Sequence, residues 1–80
     1  MKLINIGFSN LVNLDKIVAV LSPDSAPAKR IVAEAKKAQR LIDATQGRKT
    51  ESVIITDSDH IILSYLSNDE IYTRPAQAKE

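Results

Sequence analysis

The stretch from Glu51 to Leu66 constrains this chain most. Two β-branched, strongly apolar runs, Glu51 to Thr56 and His60 to Leu66, flank the polar triplet Asp57-Ser58-Asp59. Val and Ile are stiff at χ1 and pack well on a pleated surface, so both runs predict strands. Asp and Ser oxygens accept neighbouring backbone N–H groups in tight turns, so the triplet predicts the reversal between them. The pair is the clearest hairpin in the chain, and the rest of the fold has to cover its two apolar faces.

With 80 residues there is room for one domain only, and its core is expected to be marginal. No Cys is present, which removes disulfides and thiolate metal sites as staples. Oligomerisation is the remaining remedy. Aromatics are limited to Phe8, Tyr65 and Tyr72, so the core is aliphatic.

Leu3 to Phe8 predicts a further strand, ended by the turn signal Ser9-Asn10. Lys16 to Leu21 is apolar on both faces, as expected of a strand covered on both sides. Leu11 to Asp15 is expected to be the linker that joins these two as a hairpin. Ser22-Pro23-Asp24-Ser25-Ala26-Pro27 then starts a helix, with Ser22 or Ser25 as cap and Asp24 complementing the dipole. The helix is expected to run to about Arg40. Its apolar stripe is Ala28, Ile31, Val32, Ala35 and Ala38 or Gln39. Leu41 to Thr45 is a short strand. Ser67 and Glu70 form a capping box for a short helix from Asn68 to Arg74, stopped by Pro75. The order β-β-α-β-β-β-α predicts a small α+β domain over residues 1–74. It has an antiparallel sheet, one main amphipathic helix and a short C-terminal helix. Residues 75–80 are expected to be a flexible, fraying tail.

The net charge of +1 carries no message about nucleic acid, so the distribution of cations has to. Lys16, Lys29, Arg30, Arg48 and Lys49 form the candidate basic set, with Lys36, Lys37 and Arg40 in reserve. A solvated helix face explains the reserve residues adequately. Arg48 and Lys49 are different, because they follow Gly47 on a short connection between two rigid elements. A scaffolded loop of that kind suits phosphate contact. Glu51 weakens the field beside it.

Asp57 and Asp59 are read as turn residues rather than metal ligands. His60 has no fixed nucleophile beside it in the sequence and is read as structural. Asn5, Ser9 and Asn10 with the Ser22 helix start are a candidate anion pocket, and Gly7 marks a bulge or a close backbone approach. There is no phosphate-binding glycine loop, no dinucleotide fingerprint and no Ser-His-Asp arrangement. No enzyme, cofactor or metal is expected. No apolar run approaches the ~20 residues that span a bilayer, and no leader pattern opens the chain. The expected place is the cytoplasm.

INIGFSN (Ile4 to Asn10), SPDSAPAKR (Ser22 to Arg30), LIDATQGRKT (Leu41 to Thr50) and VIITDSDHIILS (Val53 to Ser64) resemble the RemA family of small bacterial regulators. That family activates extracellular-matrix and biofilm genes. The resemblance covers Leu3 to about Arg74. It implies a DNA-binding transcriptional regulator, a ring-like homo-oligomer and double-stranded DNA as partner, with no membrane or small-molecule substrate. It places DNA contacts on Lys16, Arg48 and Lys49. The family usually has Arg at the first position and an Arg-Arg pair at the other two. A further Arg stands where this chain has Glu51, and a small Ala near Tyr65-Leu66. Lys keeps the charge but loses the planar fork that grips a phosphate. The alternative is an oligomeric protein-interaction scaffold whose DNA binding is weak or lost.

Overall fold

The computed structural model describes residues 2–73, with side chains through Ile71. Its elements are β1 (Leu3–Asn5), β2 (Leu11–Asn13), β3 (Ile17–Leu21), α1 (Ala26–Lys37), β4 (Leu41–Asp43), β5 (Ser52–Thr56), β6 (Ile61–Ser64) and α2 (Asn68–Thr73). The expected tail and the Arg74 end of the last helix lie outside the described residues.

β5 and β6 pair antiparallel, with Ile54 opposite Ile62 and Val53 opposite Leu63. They form the centre of a four-stranded sheet ordered β3-β5-β6-β4. Period-two alternation along β5 and β6 sends side chains alternately to two layers. Val53, Ile55, Ile61 and Leu63 meet Ala28, Ile31, Val32 and Ala35 of α1. Ile54 and Ile62 face the other way, into Ile4, Ile6, Ala44, Leu66 and Ile71 from β1, the loops and α2. The sheet is thus covered by a helix on one side and by a hairpin plus a short helix on the other. Burying one such aliphatic side chain stabilises by roughly 1.5–3 kcal/mol.

The α+β class and the main helix stand as expected. Two connections differ. The segment Leu11–Asn13, expected as linker, is a strand that pairs antiparallel with β1 in a separate two-stranded sheet. The chain reverses early because Gly7, Phe8 and Ser9 all have positive φ. Lys16 to Leu21 therefore does not pair with the first strand, and β3 lies against β5 instead. The four-stranded sheet is also mixed rather than antiparallel, since β4 runs parallel to β6. The cause is the length of α1, which returns the chain to the end of the sheet where β6 begins. There the Ile61 N–H donates to the Arg40 carbonyl at 3.0 Å.

Local signals explain the helix ends. The Ala28 N–H donates to Ser25 Oγ at 3.2 Å, so Ser25 is the cap. Ser22 instead holds the turn before it, and Asp24 precedes the helix. α1 ends at Lys37, so Ala38, Gln39 and Arg40 lie beyond it. Ser67 and Glu70 exchange hydrogen bonds of 2.8 and 3.2 Å, a reciprocal capping box.

Candidate nucleic-acid interface

The strand directions give the domain two polar ends. The tip of the β1–β2 hairpin, the N-terminus of α1, the loop 44–51 and Tyr65 lie at one, here the loop end. Lys16, Arg40 and the turn 57–60 lie at the other, the turn end. β5 separates them by about 13 Å at the usual rise per strand residue.

The loop end is built from Asp43 upward. Asp43 Oδ1 accepts from the Thr45 hydroxyl at 2.6 Å and from the Thr45 N–H at 2.9 Å. The hydroxyl bond first, and the backbone bond second, hold its carboxyl below the usual Asp range. Thr45 is buried, which fixes the start of the next turn. That turn runs Thr45-Gln46-Gly47-Arg48 and closes with a 3.0 Å bond from the Arg48 N–H to the Thr45 carbonyl. Gln46 and Gly47 have φ of 50° and 85°, the type I′ pattern. Open space surrounds the missing Cβ of Gly47, so glycine serves its backbone angle there and not packing.

Arg48 and Lys49 leave this turn exposed, as does Glu51. Neither cation has a hydrogen-bond or ion-pair partner among the described residues. Lys29 lines a cleft of about 280 Å³ together with Thr50 and Val53, so it belongs to the same end. Arg30 is exposed on α1, and the next residue of a helix points about 100° away from Lys29. Nothing brings Arg30 to the loop.

Lys16 is elsewhere. Its ammonium lies 3.7 Å from Asp57 Oδ2, and its carbonyl accepts the Asp57 N–H at 2.9 Å. Arg40, a reserve cation, donates through Nε to the Asp59 carbonyl at 3.0 Å. The expected basic set is therefore divided between the ends within one chain: Arg48, Lys49 and Lys29 on one, Lys16 on the other.

The turn 57–60 is self-satisfied. Thr56 Oγ1 takes the His60 N–H at 3.1 Å and lies 3.0 Å from Ser58 Oγ. Ser58 Oγ is 2.9 Å from His60 Nδ1, so His60 does have a hydroxyl beside it, against expectation. Thr56 Oγ1 is the third group of this hydrogen-bonded chain, no carboxylate is hydrogen-bonded to it among the described residues, and its bonds close the turn. No cluster of three His, Asp or Glu side chains placed to share a cation occurs among the described residues. Of the candidate anion-pocket residues, Asn5 accepts the Gly7 N–H through Oδ1 at 2.7 Å and Ser22 accepts the Asp24 N–H at the α1 entry, so each serves its own turn. No helix among the described residues is long and apolar enough to cross a membrane.

Sequence reasoning missed two residues. The Phe8 and Tyr65 rings lie 4.7 Å apart at the loop end, and the Arg48 guanidinium carbon sits 5.8 and 5.6 Å from their centroids. The available signal was Gly7, whose close approach is real: a Cβ there would collide with the Cδ1–Cε1 edge of the Tyr65 ring.

Comparison with known proteins gives the family. The chain is 54% identical over 85 residues to a candidate regulatory protein of Pelotomaculum thermopropionicum, covering 99% of this chain and 93% of that one. It is 60% identical over 72 residues to one of Thermodesulfovibrio yellowstonii, covering 90% and 85%. A third, from Thermoanaerobacter, is 56% identical over 79 residues, covering 99% and 82%. The names of all three assign a regulatory role. The family model described as extracellular matrix regulatory protein A-like matches residues 3–74, and the chain belongs to this RemA-like family.

Proposed function

We propose that this regulatory protein binds double-stranded DNA as a homo-oligomeric ring in the cytoplasm and controls transcription of extracellular-matrix genes. The observation that carries the reading is the Arg48-Lys49 pair. Two adjacent cations stand on a rigid I′ turn, exposed and without a carboxylate partner among the described residues. Cations so placed neutralise phosphates and release condensed counterions. One subunit offers few of them, and a ring multiplies the patch, so avidity supplies the affinity.

Self-association has its own support. Val18 is 65% exposed on edge strand β3, at a β-bulge. Leu11 and Ile42, 56% and 47% exposed, flank a groove of about 330 Å³ beside edge strand β4. Apolar surfaces on opposite edges of one sheet suit a head-to-tail contact, the kind that closes into rings.

The test is a gel-shift titration over several salt concentrations beside a mass measurement of the assembly. Arg48→Ala with Lys49→Ala is expected to weaken binding to every duplex. The salt slope should fall by about one unit for every phosphate that a bound subunit no longer neutralises. Unchanged binding by the double variant, with an intact assembly, would transfer the function to protein interaction and favour the scaffold reading.

A further inference from the structure

We propose that Phe8 and Tyr65 are positioning residues for Arg48, holding its guanidinium over their rings so that its N–H donors stand free for an oxyanion of the nucleic-acid backbone. The inference rests on the DNA-binding reading and adds two residues to it.

The Arg48 Cζ lies within the ~6 Å over which an aromatic face attracts a cation, and it does so for both rings at once. The rings are inclined at 41° to each other with centroids 4.7 Å apart, so they form one continuous aromatic surface. No hydrogen bond or ion pair holds the Arg48 side chain among the described residues. These contacts take up none of the guanidinium N–H donors in hydrogen bonds. Those donors match a phosphate bidentately. An Arg side chain otherwise has large rotamer freedom, which binding would have to remove. Lys49 next to it has no such support and acts as a point charge.

The backbone is arranged at a cost for this purpose. Phe8 and Ser9 have φ of 54° and 64°, the two central positions of an I′ turn closed by Asn10 N–H to the Gly7 carbonyl at 3.0 Å. Such turns favour Asn-Gly, and a bulky residue at positive φ is an outlier. Strain of this type persists only where the surroundings over-determine it, and it gathers at functional sites. Here the surroundings are explicit. Asn5 Oδ1 holds the Gly7 N–H at 2.7 Å, and the Ile6 N–H reaches the Asn10 carbonyl at 2.9 Å. Ser64 Oγ donates to the Ile6 carbonyl at 2.7 Å and accepts the Leu66 N–H at 3.1 Å, which ties the segment carrying Tyr65 to the strand leading to Phe8. Gly7 leaves the space into which the Tyr65 ring packs. Phe8 is 38% exposed on this turn, packs on Tyr65 and carries Arg48 over its ring.

The test has two arms. In the DNA-free protein, the Arg48 Nε–H resonance is expected to show a ring-current shift away from its random-coil position. The shift should shrink in Phe8→Leu and in Tyr65→Leu, and persist in Tyr65→Phe. Absence of the shift in the parent overturns the proposal whatever the variants do. In gel shifts, each Leu variant is expected to weaken DNA binding roughly two- to fivefold, with Tyr65→Phe and Phe8→Tyr restoring it. In an Arg48→Ala background the same Leu changes should have no further effect, since coupled residues are non-additive. Equal losses in both backgrounds would mean that the rings act without Arg48, and the proposal falls. If Arg48→Ala itself leaves DNA binding intact, the DNA reading fails, while the resonance arm still decides whether the rings hold Arg48.

Discussion

The two ends of the sheet hold similar numbers of cations and use them in opposite ways. At the turn end, Lys16 faces Asp57 and Arg40 donates to the Asp59 carbonyl, while Thr56, Ser58 and His60 satisfy one another. At the loop end, Arg48 and Lys49 have no anionic partner among the described residues, and the backbone carries positive φ at Gly7, Phe8, Ser9, Gln46 and Gly47, against Gln39 and Asp59 at the turn end. The difference teaches that the partner, not the charge, separates a structural cation from an available one. The turn end closes itself. The loop end holds strained turns in place with buried hydrogen bonds and presents what they carry.

The sharpest way to break this contrast is to disturb the strained turn itself. Gly7→Ala drives a Cβ against the edge of the Tyr65 ring and demands a φ of +110° from an L-residue. Overpacking and backbone strain add here, for an expected loss of roughly 2–5 kcal/mol. Gly47→Ala meets the same kind of angle, +85°, but open space, so only about 1–2 kcal/mol of strain applies. Urea midpoints at constant m-value measure both. Equal losses would mean that the Tyr65 ring is not packed on Gly7.

The contrast also shows what was legible in the sequence. The β5–β6 hairpin, the Ser25 cap and the Ser67–Glu70 box could be read because each rests on neighbours along the chain. Gly47 was legible for the same reason: its turn bond closes onto Thr45. β2 was not, because Leu11-Val12-Asn13 becomes a strand only through a turn with Phe and Ser at positive φ, which neither residue favours. The parallel β4–β6 pairing depends on where α1 delivers the chain. Within the candidate site, Arg48 and Lys49 were legible as exposed cations. That Phe8 and Tyr65 meet at Arg48 depends on pairing across the whole fold, and so did the separation of Lys16 from them.

A smaller effect separates the ends by pH. Asp43 anchors the loop through Thr45, and the two hydrogen bonds lower its folded pKa below the ordinary 3.8. A depressed acid stabilises the fold above its unfolded pKa, and that stability is lost as pH falls through the lower folded value. Asp43→Asn keeps an acceptor for Thr45 but cannot ionise, so it should flatten the acid limb of stability against pH without changing the neutral plateau greatly. Chemical denaturation from neutral pH down through the ordinary Asp range checks this. An unchanged acid limb would mean that Asp43 does not anchor the loop.

The smallest expected effect lies at the turn end. Lys16 and Asp57 are 61% and 49% exposed at 3.7 Å, a solvent-screened pair worth at most about 1 kcal/mol. Asp57→Asn should therefore leave the urea midpoint nearly unchanged. Its consequence for DNA is more informative. Within one subunit the ends are about 13 Å apart along β5, more than the ~8–10 Å Debye length near physiological salt, so the loss of Asp57 barely alters the field at Arg48. Any gain in DNA affinity then comes from Lys16, released from its partner. Since Lys16 has to leave Asp57 before it can meet a phosphate, Lys16→Ala should cost less affinity than Arg48→Ala, and Asp57→Asn should bring a slight gain that fades as salt rises. Should Lys16→Ala prove as damaging as Arg48→Ala, the turn end would not be closed, and both ends would meet the duplex alike.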